Sequence, residues 1–267
     1  MSSSTRSRWG LRTLGLGYLT LLLLAPLVMI FYKTFEHGIA PPLDAITSSD
    51  GLHALKLTLI TVAIAVPLNT VFGVVCALLL VRHPGKGNTA IDATINLPFS
   101  ISPIVIGLSL FLLYGTSGWL GPTFAEAGIK VLFSVPAIVL ACIFVSLPFV
   151  VRETVPVLQE IGTDQELAAS TLGANAWQTF WRITLPAIRW GVAYGIVLTT
   201  ARVLGEFGAV TIVSGSISGQ TQTLPLFVAK QFDNYNEAGF YGASILLALL
   251  ALSTLLAMNF LKRKEET

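Results

Sequence analysis

The chain has 267 residues, of which 54% are hydrophobic, and its mean hydropathy is +0.76. Only 11% of the residues are charged, against roughly 25% in an ordinary soluble domain, so there are too few charges to cover the surface of a soluble protein of this size. The net charge is +2 and the basic residues come in twos and threes, which argues against nucleic acid as a partner. This composition predicts an all-α integral membrane protein.

Six apolar windows are long enough for a helix to cross the hydrocarbon core, which takes about 20 residues. They lie at 13–32, 57–81, 96–114, 131–151, 190–212 and 238–261, and they predict about six transmembrane helices. The first window has a long apolar core with no clear cleavage site after it, so we interpret it as a retained anchor helix rather than a signal peptide. Prolines predict breaks in the spans, at Pro26, Pro67, Pro98, Pro103, Pro136 and Pro148.

The Lys and Arg residues outside these windows are divided unevenly between the two sides of the bilayer. Eleven share one side: Arg6, Arg8, Arg12, Arg82, Lys86, Arg152, Arg182, Arg189, Lys262, Arg263 and Lys264. Four fall on the other side, in loops or at the start of a span: Lys33, Lys56, Lys130 and Lys230. Because cytoplasmic loops carry the excess of Lys and Arg, we expect both termini and the 152–189 loop in the cytoplasm.

The 152–189 loop carries signals for two short helices. Thr163 and Glu166 have the spacing of a capping box, and Gly173 supplies a stop with positive φ after a helix that reaches Leu172. Asn175 is expected to cap a second helix over 176–184, which Leu185 and Pro186 end.

The side chains of these two helices allow two interpretations. Small residues at Ala168 and Ala169 would let another surface approach closely, and Trp177 and Trp181 are anchors of the kind found in protein interfaces. The same tryptophans would also suit an amphipathic helix lying on lipid headgroups. From these features alone, a protein docking site and a membrane-surface helix remain equal alternatives.

The order of residues in this loop resembles the EAA loop of ABC importer permeases. The resemblance rests on Glu166-Leu167-Ala168-Ala169, on Gly173 four residues later, and on Ile183-x-Leu185-Pro186. It departs from the family pattern at Leu167, where an acidic residue is usual. The resemblance implies a docking site for separate ATPase subunits, formed by Glu166, Ala168, Ala169, Gly173, Ile183, Leu185 and Pro186.

Other stretches resemble the sulfate/thiosulfate importer permeases, at 66–73, 97–103, 177–182, 205–210 and 213–226. This resemblance implies a type I ABC importer permease fold in the bacterial inner membrane. Its expected partners are the ATPase subunits, a second permease that is a related but different chain, and a periplasmic sulfate/thiosulfate-binding protein. The expected divisions are 1–52 for the tail, first span and outer loop, 53–262 for the transmembrane domain, and 263–267 for a cytoplasmic tail.

Two rival functions remain beside sulfate import. Molybdate and tungstate permeases share the Gly-Glu-Phe-Gly-Ala and Thr-Leu-Pro features, and an ion-driven secondary transporter or channel would belong to a different class. An intramembrane enzyme is disfavoured because the sequence shows no paired catalytic groups. His83-Pro84-Gly85-Lys86-Gly87 is not a phosphate loop, since no Ser or Thr follows the lysine. We therefore expect no enzymatic activity, no metal and no cofactor in this chain, with Cys76 and Cys142 as small buried residues.

Charged and polar residues inside the windows form the remaining candidates. Arg202 and Glu206 are four residues apart in the fifth window, which predicts an ion pair on one helix face. A structural pair is favoured over an anion path, because a neutralised arginine attracts a dianion weakly. Uncharged donors that could pass an anion along the membrane are Asn69, Ser100, Ser102 and Ser214, with Ser216 and Ser218 nearby.

Overall fold

The structure, a computed structural model, describes residues 12–36, 38–83, 85 and 87–265. The predicted basic residues Arg6, Arg8 and Lys86, together with Pro84 and the last two residues of the chain, lie outside the described residues. The described part is helical and contains no β-strand. Its helices are α1 (Arg12–Phe35), α2 (Ala40–Thr47), α3 (Ser49–Arg82), α4 (Asn88–Ser100), α5 (Pro103–Tyr114), α6 (Gly121–Glu126), α7 (Val135–Ile161), α8 (Asp164–Thr171), α9 (Ala176–Ala187), α10 (Arg189–Leu204), α11 (Gly208–Ser214), α12 (Leu224–Asp233) and α13 (Glu237–Glu265).

Four helices, α1, α3, α7 and α13, are long and apolar enough to cross a membrane without interruption. Two bent pairs also pass the same test of length and composition: α4 with α5, bent by 112°, and α9 with α10, bent by 69°. The predicted all-α fold is confirmed. Five of the six predicted windows fall on α1, α3, the α4–α5 pair, α7 and α13, and the fifth window falls on α10 and α11.

The third predicted span is broken where an extended residue precedes a proline. Ser102 has φ −59° and ψ 136°, the conformation favoured before proline, and Pro103 then begins α5. In contrast, Pro26, Pro67, Pro98 and Pro148 lie inside continuous helices, so the prediction that they break their spans is wrong. Neighbouring helices and polar side chains in a membrane protein can supply the bonds that such a proline removes.

The fifth predicted span is not a single helix over 190–212. Helix α10 ends at Leu204, and a second helix, α11, begins at Gly208. Arg202 therefore lies in the last turn of α10, whereas Glu206 lies in the break. The prediction that these two residues share one helix face is wrong for this reason.

Helix α7 extends further than its apolar window, and it forms the centre of the fold. It runs to Ile161, so the loop after it begins at Gly162 rather than at Arg152. On it pack α3, α10, α11, α4 and α5. A Cβ added to Gly73 of α3 would lie 2.6 Å from the Cβ of Val150, and one added to Gly195 of α10 would lie 2.7 Å from the Val150 Cα. Glycines on both sides thus let two helices approach α7 closely at one level.

Buried apolar residues line these helix contacts, and Cys76 and Cys142 are among them. Both thiols are free and buried, as predicted. Helix α1 differs from the rest, because none of its most apolar stretch is buried within the chain. It contacts α13 along one side and leaves its other side for lipid or another subunit.

Candidate functional site

The candidate site begins with the loop between α7 and α10, where α8 and α9 are joined by a glycine turn. Gly173 has φ +86°, as predicted for the residue that stops the first helix. Its N–H donates to the Ser170 carbonyl (3.0 Å), and the N–H of Ala174 donates to the Ala169 carbonyl (3.0 Å). These two bonds form a Schellman motif, which satisfies the last carbonyls of α8 and reverses the chain.

The second helix of the loop begins with a complete capping box. The N–H of Gln178 donates to Oδ1 of Asn175 (2.9 Å), and the N–H of Asn175 donates to Oε1 of Gln178 (3.0 Å). The prediction that Asn175 caps this helix is confirmed. Together with the Schellman turn, this cap fixes the direction of α9 relative to α8 by bonds within a few residues.

Helix α9 was predicted to end at Leu185 and Pro186. It continues to Ala187 instead. Residues Phe180–Thr184 form a π-helical turn, in which the N–H of Leu185 donates to the Phe180 carbonyl five residues earlier. The wider turn accommodates Pro186, which has no N–H to donate. The helix therefore passes the proline and turns only at Ile188.

The first predicted capping box is not formed. The hydroxyl of Thr163 makes no cap bond to α8. The carboxylate of Glu166 accepts hydrogen bonds from residues of two other helices instead. The prediction fails because a guanidinium from another helix binds the Glu166 carboxylate. This charged donor forms stronger hydrogen bonds than the uncharged backbone N–H of a capping box would.

That guanidinium belongs to Arg82, the last residue of α3. Its Nε and Nη2 donate to the two carboxylate oxygens of Glu166, at 3.0 and 3.3 Å. Its Nη1 and Nη2 also donate to the carbonyls of Leu158 (3.1 Å) and Gly162 (2.6 Å) at the end of α7. The Thr184 hydroxyl in α9 donates to Oε1 of Glu166 at 2.9 Å. One arginine and one carboxylate thereby join α3, α7, α8 and α9, and we name these five residues the Arg82 cluster.

The Arg82 cluster was not predicted from the sequence. Arg82 was counted there only among the basic residues expected on the cytoplasmic side. Arg82 and Glu166 are 84 residues apart, and no spacing in a single sequence connects positions so distant. The one available signal was an arginine at the very end of a long apolar span, which indicates a side chain at the membrane boundary.

The outer surface of the loop is apolar and exposed. The exposed fractions are 60% for Leu167, 87% for Leu172 and 70% for Trp177, and Trp177 contacts Trp181 edge to face at 5.5 Å. Leu167 stands where the EAA pattern has an acidic residue. Of the predicted small pair, Ala168 is exposed, but Ala169 faces the protein interior.

The other residues expected for docking lie at different depths. Ile183 and Leu185 are half-buried, and Leu185 packs against the buried residues around α7. Pro186 is exposed. The structure thus brings the EAA residues together in one pair of helices, although only part of the set is available to a partner.

The charged pair in the membrane region lies at the break between α10 and α11. Nη1 of Arg202 is 2.8 Å from Oε2 of Glu206, and Oε1 of Glu206 accepts a bond from the N–H of Ala209 at 2.8 Å. Glu206 is only 2% exposed, whereas Arg202 remains partly exposed. The carboxylate therefore holds Arg202 and caps the first turn of α11 at the same time.

The two broken spans meet at this point. A Cβ added to Gly107 of α5 would lie 2.7 Å from the Ala209 carbonyl oxygen, and one added to Gly208 would lie 3.1 Å from the Pro103 Cβ. Helices α5 and α11 accordingly run side by side with their starts adjacent. Both chain breaks occur at one level of the bundle, where irregular backbone is tolerated because protein surrounds it.

The four uncharged pathway candidates lie in two different environments, and none of them bonds to another. Asn69 is buried and donates to the Ser146 hydroxyl (2.8 Å) and the Ile143 carbonyl (3.1 Å), so it links α3 to α7. The hydroxyl oxygen of Ser214 is buried and accepts from the N–H of Ser216 at 3.1 Å. Ser100 and Ser102 are exposed on either side of the α4–α5 break.

Comparison with known proteins gives a consistent result. A family model described as "Binding-protein-dependent transport system inner membrane component" matches residues 69–266. The chain is 50% identical over 251 residues to the protein named Sulfate transport system permease protein CysW of Synechocystis sp., covering 94% of this chain and 91% of that protein. It is 43% identical over 259 residues to the protein of the same name from Escherichia coli K12, covering 97% and 89%.

Among solved structures, the fold is similar to a chain in the crystal structure of a bacterial alginate ABC transporter in complex with an alginate pentasaccharide-bound periplasmic protein. The TM-score is 0.79, and the match covers 98% of this chain and 96% of that one. The sequence identity is 19%, so this likeness concerns the fold alone.

Proposed function

This chain belongs to the family of binding-protein-dependent transport system inner membrane components, and from that membership we propose that it is a permease subunit of an ATP-driven importer of sulfate or thiosulfate. The observation that carries the proposal is the exposed α8–α9 helix pair, which is bonded directly to the ends of two membrane helices. The two CysW proteins that it resembles over nearly all of its length are named for sulfate transport, which supports the choice of substrate.

The α8–α9 surface is the docking site for separate ATPase subunits. Its exposed tryptophans are of the type that supplies much of the binding energy in protein interfaces, and the exposed leucines extend the apolar surface around them. Leu167 makes this contact apolar at the position where an acidic residue is usual. ATP chemistry lies on the partner subunits, as expected for a chain with no phosphate loop in its sequence.

A second permease completes the path through the membrane. In the described bundle the centre is filled by α7 and the helices that pack on it, so we assign the path to the contact between two permeases. The unburied side of α1 and the exposed side chains of α4 and α5 are available for a related but different permease chain. A periplasmic sulfate-binding protein delivers the anion from outside.

Coupling passes through the Arg82 cluster. When the ATPase subunits close on binding ATP, they move α8 and α9, and the cluster transmits this movement to the ends of α3 and α7. The contact of Gly73 with Val150 keeps those two helices together, so they move as one body. The result is alternating access, in which a two-state arrangement of the bundle is biased from the cytoplasmic side.

Transport by the assembled importer tests the proposal. The two permeases and the ATPase subunits are reconstituted in liposomes with the binding protein, and uptake of radioactive sulfate is measured with and without ATP. We expect uptake that requires ATP and that excess thiosulfate suppresses. Uptake driven by an ion gradient without ATP would indicate a secondary transporter, and uptake of molybdate without sulfate would indicate the other oxyanion class.

A further inference from the structure

The loop between α11 and α12, residues 215–223, forms a polar structure together with Lys230 of α12. We propose that Lys230 and Ser216, held in position through Ser218 and Gln222, form a transient binding site for a tetrahedral oxyanion on the outer side of the permease. The inference deepens the proposed function and rests on it for the identity of the anion as sulfate. Lys230 was expected in a loop, but it lies in the last turn of α12.

A chain of hydrogen bonds connects these residues. The ammonium group of Lys230 donates to the Ser218 hydroxyl, and that hydroxyl donates to Oε1 of Gln222 at 3.3 Å. Nε2 of Gln222 donates in turn to the Ser216 hydroxyl oxygen at 3.4 Å. Gln222 is 1% exposed, so the chain is anchored by a buried amide.

The bonding leaves donors without acceptors. An ammonium group has three N–H donors, and Ser218 takes one of those on Lys230. Among the described residues, the Ser216 hydroxyl forms a hydrogen bond only as the acceptor from Gln222, so its own proton is available. Two ammonium protons and one hydroxyl proton are therefore free to bind an anion at the half-buried surface of this loop.

Lys230 also lacks an acidic partner. The other half-buried cations of the bundle, Arg82 and Arg202, each bond to a carboxylate, whereas Lys230 forms no ion pair within the described part of the chain. Two carboxylates lie nearby: Asp50, with Oδ1 3.9 Å from the position of a Cβ on Gly219, and Asp233, three residues after Lys230 in α12. Neither forms an ion pair with Lys230. A half-buried ammonium group without a carboxylate partner can form charge-assisted hydrogen bonds to an anion, and a sulfate dianion would supply the missing charge.

The loop is held in place before any ligand arrives. The Thr221 hydroxyl donates to the Ser214 carbonyl, at 2.6 Å, and the N–H of Leu224 donates to the Thr58 hydroxyl of α3, at 2.8 Å. Ser216 has φ +49°, which costs a non-glycine residue energy and persists where surrounding contacts enforce it.

The chemistry suits passage rather than storage of the anion. One ammonium and one hydroxyl bind a dianion much more weakly than a closed pocket of several backbone and side-chain donors. A transport path requires this, since each site must release what it binds. The site lies at the end of the bundle away from α8 and α9, where the binding protein of the proposed importer delivers its ligand.

A pair of thiol reagents tests the site directly. In the full chain carrying Cys76→Ala, Cys142→Ala and Ser218→Cys, we measure the modification rates with an anionic sulfonate reagent and with a cationic ammonium reagent of similar size. The ratio of the two rates cancels any effect of Lys230 on formation of the thiolate. We expect the anionic reagent to modify the thiol at position 218 about tenfold faster than the cationic reagent. Millimolar sulfate should slow the modification by the anionic reagent.

Variants at Lys230 separate charge from structure. Lys230→Gln retains a donor to position 218 but removes the charge, and it should abolish both the preference and the protection by sulfate. Lys230→Arg should retain both. Lys130→Gln is the matched control, because Lys130 is an exposed lysine expected on the same side of the membrane. An unchanged rate ratio in Lys230→Gln overturns the proposed site.

Uptake distinguishes failure of this site from failure of the proposed function. In the reconstituted importer, Lys230→Gln should reduce the sulfate uptake rate about tenfold while the ATPase subunits remain bound. Normal uptake in this variant, together with no anionic preference in the Ser218→Cys chain that retains Lys230, refutes the site and leaves the importer assignment intact. A complex that carries no sulfate, but still shows the anionic preference, refutes the substrate and supports the oxyanion site.

Discussion

The Glu166 carboxylate is the residue through which the candidate docking helices are joined to the membrane bundle. It receives a guanidinium from α3 and a hydroxyl from α9, and both Glu166 and Arg82 are partly shielded from water. Charge-assisted bonds of this kind are stronger and more directional than bonds between neutral groups. A change at either residue should therefore affect the transmission of movement as well as stability.

Replacement of Arg82 tests this connection. Arg82→Gln leaves Glu166 with only the Thr184 hydroxyl and removes the charged donor from the Leu158 and Gly162 carbonyls. The loss of such bonds costs about 1–3 kcal/mol. We expect a lower thermal unfolding midpoint of the purified importer and sulfate uptake reduced more than tenfold, while ATP hydrolysis continues.

The exposed pair Lys33–Glu36, at 2.7 Å, provides the matched control. Surface pairs contribute little because water screens them, so Lys33→Gln should leave the unfolding midpoint and the uptake unchanged. Equal behaviour of the Arg82 and Lys33 variants would show that the Arg82 cluster has no coupling role.

Gly173 tests the turn between α8 and α9. Apart from the adjoining residues 172 and 174, no described residue has an atom within 4 Å of a Cβ at this position, so the obstacles to a side chain are the left-handed backbone and a partner subunit. Gly173→Asn should retain transport, because Asn adopts positive φ readily, whereas Gly173→Val should cost about 1–2 kcal/mol in the turn.

Gly173→Asp places a negative charge in the docking surface, in addition to the backbone strain of a side chain at positive φ. We expect a membrane-inserted permease that retains the ATPase subunits poorly and does not transport. Co-purification of the ATPase and anion uptake in vesicles are the measurements. Normal values of both in Gly173→Asp would show that α8 and α9 are not the coupling element.

At the scale of elements, the break between α10 and α11 depends on a buried charge. Glu206 caps α11 through Ala209 and pairs with Arg202, so removal of the arginine leaves an uncompensated carboxylate in the bundle. Removal of one member of a buried pair costs roughly 3–5 kcal/mol, whereas replacing both is often close to neutral.

The double variant distinguishes a structural pair from an anion path. Arg202→Ala should reduce the amount of assembled permease, and Arg202→Ala/Glu206→Gln should restore it, since the glutamine oxygen still accepts from Ala209. Assembly is measured by size-exclusion chromatography and transport by sulfate uptake. A double variant that assembles normally but does not transport would assign Arg202 to the anion path, against our structural interpretation.

At the scale of the whole molecule, the distribution of Lys and Arg sets the orientation in the bilayer. The eleven-to-four asymmetry predicts that both termini and the α8–α9 helices are cytoplasmic. A reporter enzyme that is active only in the periplasm should be silent when fused after Thr267 and active when inserted after Gly118. High activity at Thr267 would reverse the topology and place the proposed docking surface outside the cell.

Much of the fold could be predicted from the sequence, because the forces that form it act over short stretches. Each span requires an uninterrupted apolar run, and such a run is visible in the residue order alone. The turn at Gly173 and the cap at Asn175 were also predictable, since their hydrogen bonds close within about five residues.

The errors arose where distant parts of the chain decide the outcome. Glu166 was assigned to a local capping box, but Arg82 binds its carboxylate from 84 residues away. Pro67 and Pro148 stay within helices because neighbouring helices support them, whereas the chain breaks ahead of Pro103 and at 205–207, where α5 and α11 meet.

The sequence by itself determined the membrane class, the number of apolar spans and the local structure of the α8–α9 turn, since hydropathy and short-range bonds are properties of consecutive residues. The tertiary structure decided which charges are paired. It joined Arg82 to Glu166 and left Lys230 beside hydroxyls without a carboxylate, whereas the Arg202–Glu206 pair, four residues apart, could be predicted from the sequence. Pairing depends on which side chains meet in space, and helix packing fixes those meetings between residues that the sequence keeps far apart.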